Sequence, residues 1–263
     1  MSAPSVSSWR SLTLITRGVF IELARKKDAY VLMIFMLLFV VGMLAAKAVG
    51  IDSPSTGTFL LNLGISLVYL FSHTLTLLLA FNQIPRELEH RSIYPLLARP
   101  LGRSMYVFSK CVACALCGML VYVILFVLGW LPVPKLESYH ASMLFQMIAL
   151  HFGSLFMISA LAVACSLFLA RGVNLVILAV WFLFGGKLVT FMVGRASSPV
   201  LAKGTSWFLA YLPDFEKLNL VTRYTDGIVA LPAGVFFGLL VYVLVISAFA
   251  LAVSMRVFER RPI

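Results

Sequence analysis

Charged residues are scarce in this chain of 263 residues: Asp, Glu, Lys and Arg make up 12%, whereas 62% of the residues are hydrophobic. An ordinary soluble domain is about 25% charged and about half apolar. The mean hydropathy of +1.02 points the same way. Because one soluble core cannot bury this much apolar surface, the composition excludes a typical soluble protein and predicts an integral membrane protein.

Cysteine is also rare, with four residues that lie in or at the ends of apolar runs, so no disulfide framework is predicted. Cys111, Cys114 and Cys117 recur every three positions, and Cys165 lies farther along. A zinc site would need a fourth ligand in a folded knuckle. The spacing instead aligns small, lipid-compatible side chains on a helix, and we expect no metal site.

Catalytic motifs are missing as well. The sequence contains no HExxH or GxSxG, and the Gly-Gly-Lys at 185–187 is followed by leucine and has no upstream glycine, so it is not a phosphate loop. We therefore expect no catalytic residues and no cofactor in this chain. An intramembrane hydrolase that uses His73, His151 or Cys165 is the enzyme-class alternative, and it requires a nucleophile within hydrogen-bond reach of a base.

Acidic residues are half as frequent as basic ones, 10 against 21, which gives a net charge of +11. A basic chain can bind nucleic acid, but here the cations cluster beside apolar runs rather than on a soluble face. We therefore expect contact with membrane lipids and no nucleic-acid partner.

Long apolar runs dominate what is present. Six of them approach the ~20 residues that a bilayer requires, and they predict spans at 29–48, 58–81, 105–130, 142–170, 173–193 and 233–255. Pro132 and Pro134 end the third span, and Arg171-Gly172 predicts a tight turn between the fourth and fifth. The predicted organisation is an N-terminal segment 1–28, an all-α membrane domain 29–256 and a tail 257–263.

The cations fix the predicted orientation of these spans. With both termini on one side, fourteen of the 21 Lys and Arg residues fall on that side. Excess Lys and Arg mark the cytoplasmic face. We therefore predict a multi-pass protein of the cell (inner) membrane with both termini in the cytoplasm.

The first 28 residues form a mixed polar segment without the short apolar core and cleavage site of a signal peptide. One helical face collects their apolar residues, with Arg10, Arg17 and Glu22 largely elsewhere; its members are Trp9, Leu12, Ile15, Val19, Phe20 and Leu23. This pattern predicts a helix lying in the membrane interface. The alternative is a solvated start to the first span.

The segment 82–110 is a polar connection between two spans and holds five cations against Glu87 and Glu89. Pro85 suits the first turn of a helix, while Pro95 and Pro100 limit any helix to short pieces. Apolar side chains at helical spacing (Ile93, Leu96 and Leu97) predict a short amphipathic helix that docks to a cytoplasmic partner.

This segment resembles the coupling segment of ABC-2 type transporter permeases, in the subgroup found beside nitrous-oxide reductase and linked to copper-enzyme maturation. The resemblance rests on Glu87-Leu88-Glu89, Arg91-Ser92-Ile93-Tyr94, Leu96-Leu97-Ala98-Arg99-Pro100, Arg103 and Lys110. The sequence departs from the usual pattern at Arg91-Ser92, where Gly-Thr is more common, and at Ser109, where glycine is usual. The six-span layout extends the resemblance over the whole chain.

The resemblance implies a six-span permease of the type V exporter-like fold whose coupling helix sits in a cleft of an ATP-binding subunit. The resemblance gives the coupling role to eight residues of this chain: Glu87, Glu89, Arg91, Ile93, Leu96, Leu97, Arg99 and Arg103. The implied partners are two ATP-binding subunits, which hold ATP and Mg, and a second permease subunit, as a homodimer. The substrate, the direction of transport (export by family habit) and a periplasmic partner stay open. A non-transporting subunit that passes ATP-driven motion across the membrane is the alternative.

Several polar residues fall inside the predicted spans, and four of them are candidates for a substrate path or for packing: His73, Thr76, Gln146 and His151. Intramembrane polar groups face a bundle interior or a water-filled path. They also form interhelical hydrogen bonds that fix packing. We favour packing over contact with a substrate.

The connection 194–232 predicts short helices on the outer side. Ser206 would cap one helix, which carries Trp207, Phe208, Tyr211 and Leu212; Asp214 would cap a second, which carries Phe215, Leu218 and Val221. Such outer helices before the last span also resemble those of ABC-2 permeases. The alternative is a loop resting on the lipid headgroups.

Overall fold

The structure, a computed structural model, describes residues 8–25, 27–48, 54–89, 103–130, 141–194 and 212–260. These residues form eight α-helices and one 3-10 helix, Glu216–Leu218, and no β-strand occurs among them. The α-helices are α1 (Ser8–Arg25), α2 (Lys27–Ala48), α3 (Pro54–Glu89), α4 (Arg103–Trp130), α5 (Ala141–Ser166), α6 (Arg171–Gly194), α7 (Val221–Thr225) and α8 (Ala233–Arg260). The all-α prediction is confirmed for these ranges.

Five helices, α3, α4, α5, α6 and α8, are long and apolar enough to cross a membrane. A sixth candidate is the bent pair formed by 16–25 of α1 and 30–45 of α2, whose axes differ by 63°. The hydroxyl of Tyr30 donates to the carbonyl oxygen of Ala24 across this bend, at 2.6 Å. The described residues therefore form a helical protein with five candidate spans, and the sixth span stays a prediction.

The helices differ in how much of their surface is buried. In the most apolar 18-residue stretch of α3 and of α5, 61% of the residues are buried inside the protein, against 17% in α6 and 28% in α8. Among the described side chains of α2, the buried ones form one stripe, at Met36, Val40 and Met43. Helices α3 and α5 thus form the centre of the bundle, and the outer helices present apolar side chains of the kind that lipid covers.

Close approach of α3 and α4 depends on Gly118. A Cβ atom at this position would lie 1.9 Å from the hydroxyl oxygen of Thr76 on α3. The hydroxyl itself donates to the carbonyl oxygen of Ser72, at 2.7 Å. Cys111, Cys114 and Cys117 follow the same buried side of α4, and the Sγ atom of Cys111 lies 3.1 Å from Ser159 Oγ on α5. Small residues therefore line the contact between α4 and its neighbours.

Two predicted boundaries are wrong. The helix that contains the second span continues to Glu89, so Pro85 lies inside α3 rather than in the first turn of a new helix. Ile84, beside it, is fully buried, and this burial favours continuation of the helix. The turn after α5 occupies 167–170, and Arg171 begins α6. Asn174 stabilises this earlier turn, since its side chain is buried and donates to the carbonyl oxygen of Ala162, at 3.0 Å.

Helix α1 is present, and Val19 and Leu23 of its predicted apolar face are buried. Glu22, predicted to lie largely away from this face, instead contacts α3, because it follows Val19 by three residues and so shares its side of the helix. The side chains of Trp9, Leu12 and Ile15 lie outside the described part of the structure.

Candidate functional site

A network of polar side chains joins the helix ends on either side of residues 90–102, and Lys110 lies at its centre. The ammonium of Lys110 donates to Glu87 Oε1 at 2.5 Å and to Gln83 Oε1 at 2.9 Å. The Tyr106 hydroxyl donates to the other carboxylate oxygen of Glu87. The Lys110 side chain is only 9% exposed and that of Glu87 22% exposed. We call Glu22, Gln83, Glu87, Tyr106 and Lys110 the Lys110 network.

The network reaches α1 through Glu22. The Gln83 side-chain amide donates to Glu22 Oε2 at 2.7 Å, and the Arg86 guanidinium lies 3.3 Å from Glu22 Oε1. Gln83 therefore bridges a carboxylate of α1 and the Lys110 ammonium of α4. Such a bridge satisfies groups that would be costly to bury without partners in an apolar bundle.

Further polar contacts lie immediately beside the segment 90–102. Glu89, the last residue of α3, forms an ion pair with Arg171 at the start of α6. Arg103, the first residue of α4, donates to the carbonyl oxygen of Glu259 near the end of α8, at 3.1 Å. A guanidinium at this position also interacts favourably with the negative end of the α8 dipole. The two residues that flank 90–102 thus contact α6 and α8.

The predicted coupling residues divide between described and undescribed positions. Glu87, Glu89 and Arg103 all make the contacts given above. The remaining five lie outside the described residues: Arg91, Ile93, Leu96, Leu97 and Arg99. Their predicted roles stay predictions.

A second polar cluster lies deep between α3 and α5, and we call Tyr69, Ser72, His73, His151 and Ser154 the histidine cluster. His73 Nδ1 lies 2.9 Å from the Tyr69 carbonyl oxygen, and its Nε2 lies 2.6 Å from Ser154 Oγ. A carbonyl only accepts, so Nδ1 carries the proton and Nε2 accepts from the serine hydroxyl. His73, Ser72 and Ser154 are fully buried.

His151 completes the cluster from α5. Its Nε2 lies 2.9 Å from Ser72 Oγ, and the Ser72 hydroxyl donates to the Tyr69 carbonyl oxygen at 3.0 Å. Since that hydroxyl proton is engaged, Nε2 of His151 donates to Ser72. The ring stacks on Tyr122 with centroids 3.8 Å apart, and its Nδ1 has no hydrogen-bond partner among the described residues.

The other two predicted intramembrane polar residues, Gln146 and Thr76, form hydrogen bonds to the backbone. Gln146 on α5 forms two bonds to the backbone of Leu231: its amide donates to the carbonyl oxygen at 3.0 Å, and its Oε1 accepts from the N–H at 2.8 Å. It therefore anchors the chain just before α8. Thr76 lies one turn after Ser72, against Gly118, as described above.

The connection before α8 also folds back onto the bundle. Asp214 Oδ1 accepts from the Glu216 N–H at 3.0 Å, and Asn219 Oδ1 accepts from the Val221 N–H at 3.1 Å. The N-cap residues are Phe215 for the 3-10 helix and Leu220 for α7, so Asp214 lies one residue before the cap position predicted for it, and the single predicted helix is divided into two. Phe215 is buried, and its carbonyl oxygen accepts from the Tyr69 hydroxyl at 3.1 Å. Ser206, Trp207, Phe208 and Tyr211 lie outside the described residues.

Sequence reasoning missed the partners that complete both clusters. The sequence patterns assign no role to Gln83 or Tyr106 and include Lys110 only in the family resemblance, although Tyr106 and Lys110 are four residues apart and share one face of a helix. Ser154 follows His151 by three residues, which is the same kind of signal. The sequence therefore predicts which residues share a face of one helix, but not which residues of different helices contact each other.

No protein-family model matches this chain, and no curated protein matches its sequence.

Proposed function

We propose that this chain is the membrane-spanning permease subunit of an ABC-2 type transporter. The proposal rests on the resemblance of 82–110 to the coupling segment of that family and on one structural observation, the Lys110 network. That network joins the two helices that flank 90–102 to each other and to α1.

The network supports the proposal because a coupling element must pass force from a docked partner into several spans. Glu89 contacts α6, Arg103 contacts α8, and Glu87 with Lys110 joins α3 to α4. A displacement of 90–102 therefore acts on five helices rather than on one loop. Rigid elements with fixed polar connections are the ordinary means by which motion travels between sites.

In the proposed complex, two copies of this chain pair with two ATP-binding subunits on the cytoplasmic side of the cell membrane. ATP and Mg bind to those subunits, and this chain performs no catalysis. Closure of the ATP-binding subunits moves the segment 90–102, and the spans then alternate access to the substrate path. Transport in the export direction follows the habit of the family.

The test replaces the predicted apolar centre of the docking helix. Leu96→Asp together with Leu97→Asp is expected to detach the ATP-binding subunit, because burying two carboxylates in a docking cleft costs at least several kcal/mol. Co-purification in detergent measures assembly, and the ATPase rate is the second readout. Leu96→Met with Leu97→Met is the matched control, since it conserves volume and should retain the partner. A double aspartate variant with its partner and full ATPase activity would refute the proposal.

An intramembrane hydrolase is a second candidate because His73 Nε2 lies 2.6 Å from Ser154 Oγ, a distance at which a base activates a nucleophile. Both residues are fully buried, however, and neither lines the pocket between α3 and α6 or the groove along 59–70 of α3. Labelling of the purified chain by a fluorophosphonate, abolished in Ser154→Ala, would favour the hydrolase. Absence of labelling would favour a packing role for this pair.

A further inference from the structure

A pocket of about 210 Å³ opens between α3, α6 and the 3-10 helix, at the end of the bundle opposite the Lys110 network. Its lining combines aromatic, basic, acidic and amide side chains: Tyr69, Phe182, Phe215, Lys187, Glu216 and Asn219. Ligand pockets for drug-sized molecules enclose about 300–1,000 Å³. This pocket is therefore sized for a smaller group.

The inner wall of the pocket is aromatic. Tyr69 and Phe182 stack with centroids 5.9 Å apart, and Phe182 meets Phe215 edge-on at 5.4 Å. Tyr69 and Phe215 are buried, and the bond from the Tyr69 hydroxyl to the Phe215 carbonyl fixes the wall in place. Aromatic faces attract organic cations such as ammonium groups.

Two opposite charges form the rim. Lys187 and Glu216 are both exposed, and within the described part of the chain neither forms an ion pair. The neighbouring Lys217 pairs instead with Asp214, at 3.4 Å. The Glu216 carboxylate lies directly over Gly186, where an added Cβ would be 2.4 Å from Oε2. The rim thus offers a cation and an anion for which the described residues supply no ion-pair partner.

The depth of the pocket matches the boundary of a bilayer. Lys187 lies sixteen residues after Arg171 on α6, which corresponds to about 24 Å along a helix. The hydrocarbon core of a bilayer is about 30 Å thick. Because Arg171 contacts Glu89 at the end of the bundle that holds the Lys110 network, Lys187 lies near the opposite headgroup layer.

We propose that this pocket binds the zwitterionic phosphoamine headgroup of a phospholipid. The Lys187 ammonium pairs with the phosphate. The Glu216 carboxylate and the aromatic wall hold the amine. A headgroup with a phosphate alone would leave Glu216 facing an anion, and a headgroup without charge would use neither rim residue. This site follows from the membrane depth of the pocket and does not require that the chain be a transporter.

The test measures lipid-dependent stabilisation of the delipidated, purified chain in detergent. A ligand that binds only the folded state raises Tm in proportion to its affinity and concentration. Dioleoyl-phosphatidylethanolamine is expected to raise Tm more than dioleoyl-phosphatidylglycerol or dioleoylglycerol at equal concentration. Native mass spectrometry should show phosphatidylethanolamine retained at one copy per chain.

Variants of the rim connect this binding to the pocket. Lys187→Gln and Glu216→Gln are each expected to weaken phosphatidylethanolamine binding by a factor of about three to ten, the range for one charge-assisted contact near a surface. Both side chains are exposed, so folding should be unaffected. Arg223→Gln is the matched control, because it removes an exposed cation from the same connection without touching the pocket.

A further measurement distinguishes binding of a membrane lipid from binding of a soluble zwitterion. Phosphoethanolamine alone, added up to the same concentration, is expected to give no shift, because the acyl chains hold the lipid at the pocket. An equal shift with phosphoethanolamine alone would overturn the lipid assignment. Equal stabilisation by all three lipids, or rim variants that bind like Arg223→Gln, would overturn the site itself.

Discussion

Lys110 is a buried cation in an apolar bundle, and its hydrogen-bond partners offset the free-energy cost of removing its ammonium from water. Moving an ammonium out of water costs several kcal/mol unless a counter-charge and further hydrogen bonds replace the lost hydration. Glu87 supplies the counter-charge and Gln83 a further acceptor. Each member of the pair is therefore destabilising without the other.

This argument predicts a non-additive response. Lys110→Met is expected to lower the free energy of unfolding by about 3 kcal/mol, the lower end of the range for breaking a buried pair, since Glu87 is 22% exposed. Adding Glu87→Gln should recover most of the loss. Denaturation of the purified chain in detergent measures both. Arg86→Gln is the control and should cost under about 1 kcal/mol, because Arg86 is 52% exposed. Simple additivity of the two substitutions would contradict a coupled pair.

Gly118 gives a second prediction at this scale. Gly118→Ala is expected to destabilise the protein by about 1–3 kcal/mol, because the new methyl group meets the Thr76 hydroxyl. Thr76→Ala in the same chain removes the obstructing atom and should restore much of the stability. Gly238→Ala on α8 is the control: nothing lies within 4 Å of its added Cβ, and alanine favours a helix. Thermal unfolding that ranks the two glycine variants equally would rule out the close contact.

Individual residues were predictable only in part. Intramembrane polarity correctly singled out His73 and His151 as buried residues. Their partners Ser72 and Ser154 are ordinary small residues in an apolar run, and nothing in their type marks them. Lys110 and Glu87 are 23 positions apart across a connection, so their pairing depends on how α3 and α4 pack, which no local pattern encodes.

At the scale of elements, the contact between α3 and α5 depends on reciprocal hydrogen bonds. His73 of α3 accepts from Ser154 of α5, and His151 of α5 donates to Ser72 of α3. Two bonds in opposite senses fix both the rotation and the axial register of the pair. Packing interactions of this kind hold helices together in a membrane, where no hydrophobic force draws them to each other.

His73→Leu is therefore expected to lower Tm, because it leaves the buried Ser154 hydroxyl without its acceptor, at a cost of about 1–3 kcal/mol. His73→Leu with Ser154→Ala should regain part of the lost stability, since no polar group is then stranded. Thermal unfolding measures both variants, and the ATPase rate of the proposed complex with ATP-binding subunits would distinguish a packing role from a place in a substrate path. A loss of ATPase activity at unchanged Tm would place His73 in the path instead.

Elements were more predictable than residues. Length and apolarity located α4 and α8 to within a few residues of their starts, since a bilayer sets the required length. Ends were less predictable: α3 continues past Pro85, where the sequence signal for a break is strong. Tertiary contacts override that local signal, because Ile84 is buried and Gln83 and Glu87 both bind Lys110.

At the scale of the whole molecule, the asymmetry of cations predicts which connections share a side of the membrane. Single cysteines at 27, 91 and 261 are expected to resist labelling by an impermeant maleimide in intact cells. Cysteines at 137 and 203 should be labelled. The background is a chain whose four native cysteines are replaced, and labelling after lysis is the control that each site is reactive. Labelling of position 91 from outside would contradict the predicted orientation and the docking role of 90–102.

Pro85 has a mechanical consequence. Proline removes one backbone hydrogen bond from the interior of a helix and leaves a point of low bending stiffness. Lys110 holds Gln83 on one side of that point and Glu87 on the other. A single ammonium thus stiffens α3 across this point. While both hydrogen bonds persist, the end of α3 resists bending and transmits torque. When they break, the same helix bends easily at Pro85.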